Sequence, residues 1–444
     1  MLNIVEKVRD ALQGTFLKSA VEANEETGAI KRRRKFTPST LAQAFILAFL
    51  QNPKANHSDI AAVAADSGVD VSPQAVEQRY SLSLAAFFKA LFEKMAKQIV
   101  GSEDSLAPIL CRFTEVNVID SSIIALPDSQ KAEFRGCGGS YDANQSAIKL
   151  QTEFNLRDGS LRCVELEQGR ATDGATERQH VTQSPGSLRI ADLGYFNVQV
   201  LREIDDAGAF FLSRVTHTTV IYVEGIKQNL VTWLNATGRG TVDQAIELGA
   251  SDRLKCRLIA WRVPEEIANA RRRKIRAASM RKHRREPSKE ALAACDWEFL
   301  VTNIGEEQLS VKEAIVLYRT RWQIELLFKR WKTYGRIAEM DGVNDIVKMT
   351  RFWARLCAAL IQHWLTVAAT WSSELRISLA KSAKLARQIA SDMATLLSFG
   401  GDWISFLQRF TRRARAGCRL TTRRTAPGNL QLLRNPELLE YSLT

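Results

Sequence analysis

The stretch from Tyr318 to Lys332 constrains the fold most, because it is typical of a helix with two chemically different sides. At 100° per residue, Tyr318, Arg321, Glu325 and Lys332 fall within about 60° of one another on a helical wheel. The other side is apolar and contains Val316, Leu317, Ile324, Leu327, Phe328 and Trp331. Such a helix must pack its apolar side on another layer. Its exposed carboxylate can then hold a divalent metal, and the flanking cations can hold phosphates.

The charge balance favours a polyanionic partner. The 444 residues carry 62 Lys and Arg against 49 Asp and Glu, a formal charge of +13. Nucleic acid is a better match for this excess than a membrane surface. The excess is densest between Arg271 and Arg285, where nine of fifteen residues are basic and none is acidic. We expect this segment to contact phosphates, with four residues as first candidates: Arg271, Arg272, Arg273 and Lys274.

Cysteine and histidine usage argues against a disulfide framework and a zinc site. The seven cysteines form no C-x-x-C pair, and the five histidines are dispersed. Any metal should therefore have oxygen ligands. The chain starts without a visible signal peptide, and its most apolar run, Leu356 to Trp371, favours a buried helix over a membrane span. These features predict a cytoplasmic, reduced protein, associated with the nucleoid if its partner is bacterial DNA.

The order of elements between residues 112 and 214 predicts an α/β core. Short strands are expected at Phe113–Asp120, Ala147–Leu156, Leu161–Glu167, Leu188–Asp192 and Ala209–Arg214, with a helical segment at Thr176–Thr182 and a helix at 196–207. Three antiparallel strands, a helix and a fourth strand are the order of a ribonuclease-H-like core. In that core the ends of the first and fourth strands are neighbours, so Asp120 and Asp192 should lie side by side.

The rest of the chain predicts helical domains around this core. Residues 1–105 are expected to form a helical DNA-binding domain. Its Gly68 turn and a second helix that starts at Ser72-Pro73 and ends at Tyr80 are compatible with a helix-turn-helix, and any small helical domain is the alternative. Residues 106–214 form the first part of the ribonuclease-H-like core, and 215–303 a β-rich insertion with the basic segment. Residues 304–340 add a helix that begins at a Ser310 capping box and runs to Thr333, and 341–444 form a helical region suited to dimerisation.

Three acids are the candidate catalytic residues: Asp120, Asp192 and Glu325. Three carboxylates at one point would repel one another unless cations shared them. Two Mg²⁺ ions, about 4 Å apart, would supply that charge and clamp both oxygens of a phosphoryl displacement. Each acid also has a plainer interpretation, since the two aspartates could cap turns and Glu325 could pair with Arg321 on the helix.

These residues match the pattern of a known family. The chain resembles the cut-and-paste transposases of bacterial insertion sequences, the IS-four group with an Asp-Asp-Glu triad. Its hallmark is a Tyr-Arg-Glu-Lys motif, met here by Tyr318, Arg321, Glu325 and Lys332. The second acid of that group sits in an Asp-x-Gly-Tyr-Phe pattern, which begins here at Asp192, whereas Asp173 lacks that context.

The resemblance implies the roles of particular residues. Asp120, Asp192 and Glu325 would bind the metal ions, with Mg²⁺ as cofactor and Mn²⁺ as a substitute. Four residues would contact DNA beside the cut: Tyr318, Arg321, Trp322 and Lys332. Family members also use a tryptophan of the insertion to hold a flipped base, for which Trp297, Trp233 and Trp261 are candidates.

We therefore expect a DNA transposase that cleaves the ends of its own element and joins them to target DNA. Its partner would be double-stranded DNA, both transposon ends and target, and synapsis of two ends implies a homodimer. Two alternatives stay open. One is a metal-dependent endonuclease that never joins strands, and the other is a non-catalytic DNA-binding regulator derived from a transposase.

Overall fold

The computed structural model describes residues 2–31, 35–103, 105–137, 145–371, 377–420 and 427–439. Within these ranges the chain combines helices with a large β-sheet, which confirms the predicted mixed α/β class. The helices are α1 (Leu2–Gln13), α2 (Ala20–Thr27), α3 (Pro38–Gln51), α4 (His57–Asp66), α5 (Pro73–Glu77), α6 (Leu82–Ala96), α7 (Val198–Asp206), α8 (Leu230–Ala236), α9 (Glu265–His283), α10 (Lys289–Ala293), α11 (Val311–Thr320), α12 (Trp322–Thr333), α13 (Asp345–Thr370), α14 (Leu379–Arg387), α15 (Ala390–Phe399), α16 (Trp403–Gly417) and α17 (Asn429–Arg434).

The strands have four to ten residues each, and most of the longer ones are largely buried. They are β1 (Val116–Ala125), β2 (Ala147–Asn155), β3 (Leu161–Gln168), β4 (Leu188–Ala191), β5 (Phe210–Arg214), β6 (Val220–Val223), β7 (Ile226–Asn229), β8 (Thr241–Leu248), β9 (Leu254–Arg262) and β10 (Trp297–Thr302). The chain divides into two compact units. Unit 1 comprises Met1–Leu106, Ser121–Ala171 and Gln323–Arg423, and unit 2 comprises Ala107–Asp120, Thr172–Trp322 and Arg424–Thr444.

Unit 1 is organised around α13, which packs against α3, α6, α14 and α16. Almost every residue of α13 from Phe352 to Thr370 is buried. This confirms the buried helix predicted for the apolar run, and no helix among the described residues is long and apolar enough to cross a membrane. In the same unit, β2 and β3 pair antiparallel from Ile148 with Gln168 to Phe154 with Leu161, and the register shifts between Glu153 and Phe154.

The amino-terminal helices follow their predicted start signals. The Ser72 side chain accepts from the Ala75 amide and Pro73 is the first residue of α5. The second helix of the expected helix-turn-helix is shorter than predicted, because α5 ends at Glu77 and Tyr80 turns inward to pack on Phe45 with ring centroids 5.7 Å apart.

His363 on α13 gives unit 1 a pH-dependent stability. Its ring is buried, and Nε2 donates to the Gly159 carbonyl at 2.9 Å. Burial, with a smaller contribution from the Arg330 charge, lowers the pKa of His363 to about 3. The folded state thus keeps the ring neutral, whereas the unfolded chain takes up a proton below pH about 6.5. The contribution to stability is therefore complete above that pH and is lost as the pH falls towards 3.

We expect wild-type protein to lose unfolding free energy between pH 7 and pH 5, with about 2 kcal/mol of the loss due to His363. Urea unfolding at the two pH values measures this loss. His363→Gln should remove that share of the pH dependence, although it lowers stability at both pH values. An identical pH dependence in the two proteins would contradict this assignment.

Unit 2 contains the extended part of the sheet. Its strand order is β1-β4-β5-β10-β9-β8-β6-β7. The first three strands are parallel, and every later pairing is antiparallel. Strands β6 to β10 lie in the predicted β-rich insertion and continue this sheet through the pairing of β10 with β5. A buried apolar cluster from Val200 to Val301 runs along it.

Candidate active site

Asp120 and Asp192 lie at neighbouring positions of two parallel strands. The register pairs Val118 with Ile190 and Ile119 with Ala191, so Asp120 and Asp192 are the next residues along two neighbouring segments of the chain. Under them lies a small buried cluster of Ile119, Ala191 and Tyr195. The prediction that these strands are neighbours is confirmed.

The expected end of the first strand is wrong, however. Strand β1 does not stop at Asp120 but continues to Ala125. The reason is that Ser122 to Ala125 keep the alternation of buried and exposed side chains that a strand requires. Asp120 is therefore in the middle of β1, at the point where β4 has already ended at Ala191.

A sharp turn orients Asp192. Its side chain accepts from the Leu193 amide at 2.8 Å and caps a short 3₁₀ turn over Leu193–Tyr195. A Cβ at Gly194 would lie 3.3 Å from Oδ2 of Asp173, so the turn leaves little space for a larger residue. The Asp-x-Gly-Tyr pattern thus encodes a carboxylate presented at the end of a strand.

One guanidinium lies against both aspartates. Arg321 Nη1 is 3.3 Å from Oδ2 of Asp120, and Nη2 is 4.0 Å from Oδ2 of Asp192. The Tyr318 hydroxyl donates to Oδ1 of Asp192 at 3.1 Å. Burial, together with the Asp192 charge, raises the pKa of Tyr318, so this hydroxyl stays protonated and keeps donating. Two residues of the Tyr-Arg-Glu-Lys motif, Tyr318 and Arg321, thus contact the carboxylate pair directly.

Sequence reasoning missed Arg214, which lies beside Asp192, and Glu298, which forms an ion pair with Arg214. Arg214 ends β5, whose Ser213 pairs with Ala191, and its Nη1 lies 3.9 Å from Oδ1 of Asp192. The same guanidinium forms an ion pair with Glu298 of β10. Arg214 carries the signal that identified Asp192, a charged residue at the end of a parallel strand. No local sequence pattern identifies Glu298, because it lies next to Arg214 only through the antiparallel pairing of β10 with β5.

The segment with Glu325 is not one unbroken helix, and that prediction is wrong. Helix α11 begins at the predicted Ser310 capping box and ends at Thr320, and α12 starts at Trp322. The Thr320 hydroxyl bonds the Leu317 carbonyl at 2.5 Å, which is the acceptor that the Arg321 amide would need in a continuous helix. That amide bonds the Tyr318 carbonyl instead.

Helix α12 has the predicted apolar side, since Ile324, Leu327, Phe328 and Trp331 are buried. Glu325 is half-buried in its first turn, and Trp322 is exposed. Lys332 donates to the Ile123 carbonyl at 3.0 Å, and partial burial lowers the pKa of this ammonium group.

The basic segment lies on α9 and divides into two parts. Arg271 forms an ion pair with Glu298 and bonds the Trp297 carbonyl at 3.2 Å, while Arg272 forms an ion pair with Asp296. Arg273 and Lys274 are exposed. The four predicted phosphate contacts thus separate into two residues with internal acidic partners and two at the surface.

The tryptophans of the insertion are largely in the core. Trp297 is buried, its indole N–H donates to Asn235 at 3.0 Å, and the Arg262 guanidinium lies 4.6 Å from its ring centroid. Trp261 is buried as well, and Trp233 is partly buried against the same cluster.

The carboxylate pair suits a divalent cation. Both side chains offer hard oxygen ligands, and they already lie against the cationic group of Arg321. Across the described residues, no three His, Cys, Asp or Glu side chains form a group that could hold a metal ion. Within unit 2, the structure therefore brings together two predicted ligands, Asp120 and Asp192.

Comparison with known proteins decides the family. The model of the transposase DDE domain matches residues 112–361, more than half of the chain. The chain belongs to this family. The matched segment includes both aspartates of the pair and the whole motif from Tyr318 to Lys332. The transposase is thus of the Asp-Asp-Glu type that the sequence predicted.

Relatives of the transposase come from bacterial insertion sequences. The transposase for element IS231F of Bacillus thuringiensis subsp. israelensis is 27% identical over 385 residues, 81% of this chain and 78% of the relative. The transposase for element IS1151 of Clostridium perfringens is 26% identical over 309 residues, 65% of each chain. A piggyBac transposase synaptic complex with hairpin DNA covers 94% of this chain and 86% of its own, at 10% identity and a TM-score of 0.42, below the level at which a shared fold follows.

Proposed function

We propose that this DNA transposase excises its own element and inserts it elsewhere, by metal-dependent cleavage of the element ends and strand transfer into target DNA. The observation that carries the proposal is the Asp120–Asp192 pair with a guanidinium against both carboxylates, in a chain of the DDE family. The spacing of Tyr318, Arg321, Glu325 and Lys332 further supports membership of the IS-four group.

The proposed core is ribonuclease-H-like. Its support is the antiparallel pair β2 and β3, the parallel strands β1, β4 and β5, and the helix α7 between β4 and β5. On this proposal, residues 106–214 and 304–340 supply the catalytic core and 215–303 its insertion. Residues 1–105 bind DNA, and residues 341–444 contribute to a homodimer that holds two ends in a synaptic complex.

The proposed cofactor is a pair of Mg²⁺ ions, for which Mn²⁺ can substitute, held by Asp120, Asp192 and Glu325. Bound there, the ions would lower the pKa of a water nucleophile and neutralise charge at the phosphate. The Tyr318 hydroxyl orients Asp192 by donating to Oδ1, while Oδ2 lies 4.0 Å from the Arg321 guanidinium. Arg321, Trp322 and Lys332 would hold the DNA strand beside the cut. Chromosomal DNA as substrate implies action in the cytoplasm, at the nucleoid.

Arg321 provides a test of the metal site that needs no DNA. In EDTA its guanidinium is the cation that lies within 4.0 Å of both aspartates, so Arg321→Gln should lower the free energy of unfolding by about 2 kcal/mol. Saturating Mn²⁺ should recover most of that loss, because the bound ion would neutralise the charges of the Asp120 and Asp192 carboxylates in place of Arg321. Thermal unfolding in EDTA and across a Mn²⁺ series measures both effects, with Arg273→Gln as an exposed control. An equal response to Mn²⁺ in all three proteins would contradict the proposed site.

The proposed function is tested on DNA that flanks the gene for this chain. Wild type and Glu325→Ala are incubated with that DNA in Mg²⁺ or Mn²⁺, and cut, hairpin and joined products are separated. Cutting at the element ends with strand transfer, lost in the variant, supports the transposase. Cutting without joined products would indicate an endonuclease. Binding without cutting, by folded wild type, would indicate a regulator.

A further inference from the structure

The outer half of α9 stands clear of the rest of unit 2. Six consecutive residues, Arg273 to Ala278, are exposed. Since a helical turn takes 3.6 residues, no side of the helix is packed in this stretch. Even Ile275 and Met280 are 37% and 49% exposed. In the whole helix only Ala268, near its start, is buried.

The inner half, by contrast, is fixed to the sheet. Arg271 and Arg272 form ion pairs with Glu298 and Asp296, on and just before β10. Glu298 also binds Arg214, which in turn lies 3.9 Å from Asp192. Three successive ion pairs therefore connect the base of α9 with a carboxylate of the candidate active site.

The outer cations surround the helix instead of forming a stripe. At 100° per residue, Arg273, Lys274, Arg276, Arg281 and Lys282 lie at about 0°, 100°, 300°, 80° and 180°. Within the described part of the chain, Arg276 alone among them has an ion pair, with Glu286 at 3.5 Å. A flat anionic surface such as a membrane would be matched by cations on one side only. Cations on opposite sides match two rows of phosphates.

We propose that the outer half of α9, Arg273 to His283, enters the major groove of duplex DNA. A helix with its side chains is about 10–12 Å across, and the major groove is about 12 Å wide with phosphates along both rims. The eleven residues would extend about 16 Å along the groove. The proposal rests on duplex DNA as the substrate. Because Arg271 at its base is paired with Glu298, the inner end of the helix is fixed to β10.

The test measures binding without metal, so that catalysis is not required. The triple variant Arg273→Gln, Lys274→Gln and Lys282→Gln is compared with a matched control, Lys227→Gln, Arg239→Gln and Lys255→Gln, at exposed positions of unit 2 outside α9. On the flanking-DNA duplex, the slope of log affinity against log salt should fall by about 2.7 in the α9 variant. The control should change the slope by less than about 1. Circular dichroism checks that each variant is folded.

Groove occupancy is read from dimethyl sulfate footprints, which report guanine N7 in the major groove and adenine N3 in the minor groove. Protection of N7 by wild type and by the control, but not by the α9 variant, supports the proposal. Unchanged N7 protection and salt slope in the α9 variant would overturn it. Loss of N3 protection instead would place the helix in the minor groove. Binding to anionic phospholipid vesicles that needs α9, without any DNA protection, would also overturn it.

The two proposals fail separately. If wild type does not cut element ends but shows N7 protection that depends on α9, the catalytic proposal fails and the groove assignment stands. If wild type cuts and joins DNA while the α9 variant binds with the same salt slope and footprint, the groove assignment alone fails.

Discussion

Asp192→Asn is expected to lower the rate of end cleavage by about 10³-fold in Mg²⁺, and Asp120→Asn should do the same. Asparagine keeps the shape of the side chain and can still accept the Tyr318 hydroxyl bond. It removes the negative charge with which the carboxylate holds a metal ion. Metal stabilisation of a phosphoryl transition state is worth several kcal/mol, and about 4 kcal/mol corresponds to that loss of rate.

DNA binding should survive these substitutions, because each one makes the protein more positive. Gel shifts without metal should therefore show affinity equal to or higher than that of wild type, which separates loss of chemistry from loss of folding. The matched control is Asp173→Asn. Asp173 accepts from the Tyr195 hydroxyl at 3.5 Å and lies by the Gly194 turn, so it is a carboxylate near the pair but outside it. Its variant should stay within about tenfold of wild type.

The reverse pattern would refute the assignment of the second acid. If Asp173→Asn abolished cleavage and Asp192→Asn did not, Asp173 would take the place of Asp192. A variant of either pair member that cut DNA at the wild-type rate would likewise remove it from the site.

How much of this site the sequence could predict depends on the range of the interactions involved. Asp192 was found because a short strand, an acid and a Gly-Tyr turn are local signals. The neighbouring position of Asp120 followed from the strand order, and the parallel register confirms it. Sequence alone placed Asp120 at the end of β1, because the alternation beyond it, through Ser121 and Ser122, is too polar to be recognised as strand.

The break at Arg321 illustrates a different limit. A helical wheel averages over many residues and correctly assigned the buried side of α12. It could not show that the Arg321 amide bonds the Tyr318 carbonyl instead of the Leu317 carbonyl, to which the Thr320 hydroxyl donates. The helix is interrupted within the motif at this point, and such local hydrogen bonding depends on a backbone geometry and a rotamer that the sequence does not specify.

The two arginines at the base of α9 show a third limit. Charge density alone predicted phosphate contacts for Arg271 and Arg272, yet both have acidic partners at the start of β10. Glu298 lies on β10 and Asp296 immediately precedes it, and this strand follows α9 in sequence and pairs with β9 and β5. Local composition therefore identified the correct segment, while the non-local sheet pairing decided which of its cations face outward.

Glu298→Gln is expected to be strongly destabilising. Glu298 is the residue of β10 that forms an ion pair with Arg214, which lies near Asp192. The Glu298 side chain is 11% exposed and forms ion pairs with both Arg214 and Arg271. Glutamine keeps the volume but leaves two guanidinium groups without their shared counter-charge. Removing one partner of a buried ion pair costs 3–5 kcal/mol, and the partial exposure of both arginines puts the expected loss at about 3 kcal/mol.

Urea unfolding measures this loss, and Glu286→Gln is the matched control. Glu286 pairs with Arg276 at 3.5 Å, but its side chain is 67% exposed, so its loss should cost less than about 0.5 kcal/mol. A double-mutant cycle of Glu298→Gln with Arg271→Gln isolates the pair itself, with an expected coupling of about 1–3 kcal/mol. Equal stability of the Glu298 and Glu286 variants would contradict a structural role for the buried acid.

Glu298→Gln should also change the metal requirement, which a purely structural role would not. In the wild-type protein, Arg214 lies between Glu298 and Asp192, and its Nη1 is 3.9 Å from Oδ1 of Asp192. Without Glu298, its charge is free to pair more closely with Asp192 and to compete with a metal ion there. The Mg²⁺ concentration for half-maximal cleavage should therefore rise, and adding Arg214→Gln should bring it back towards the wild-type value. If the double variant needed as much Mg²⁺ as Glu298→Gln alone, Arg214 would not be the competing charge.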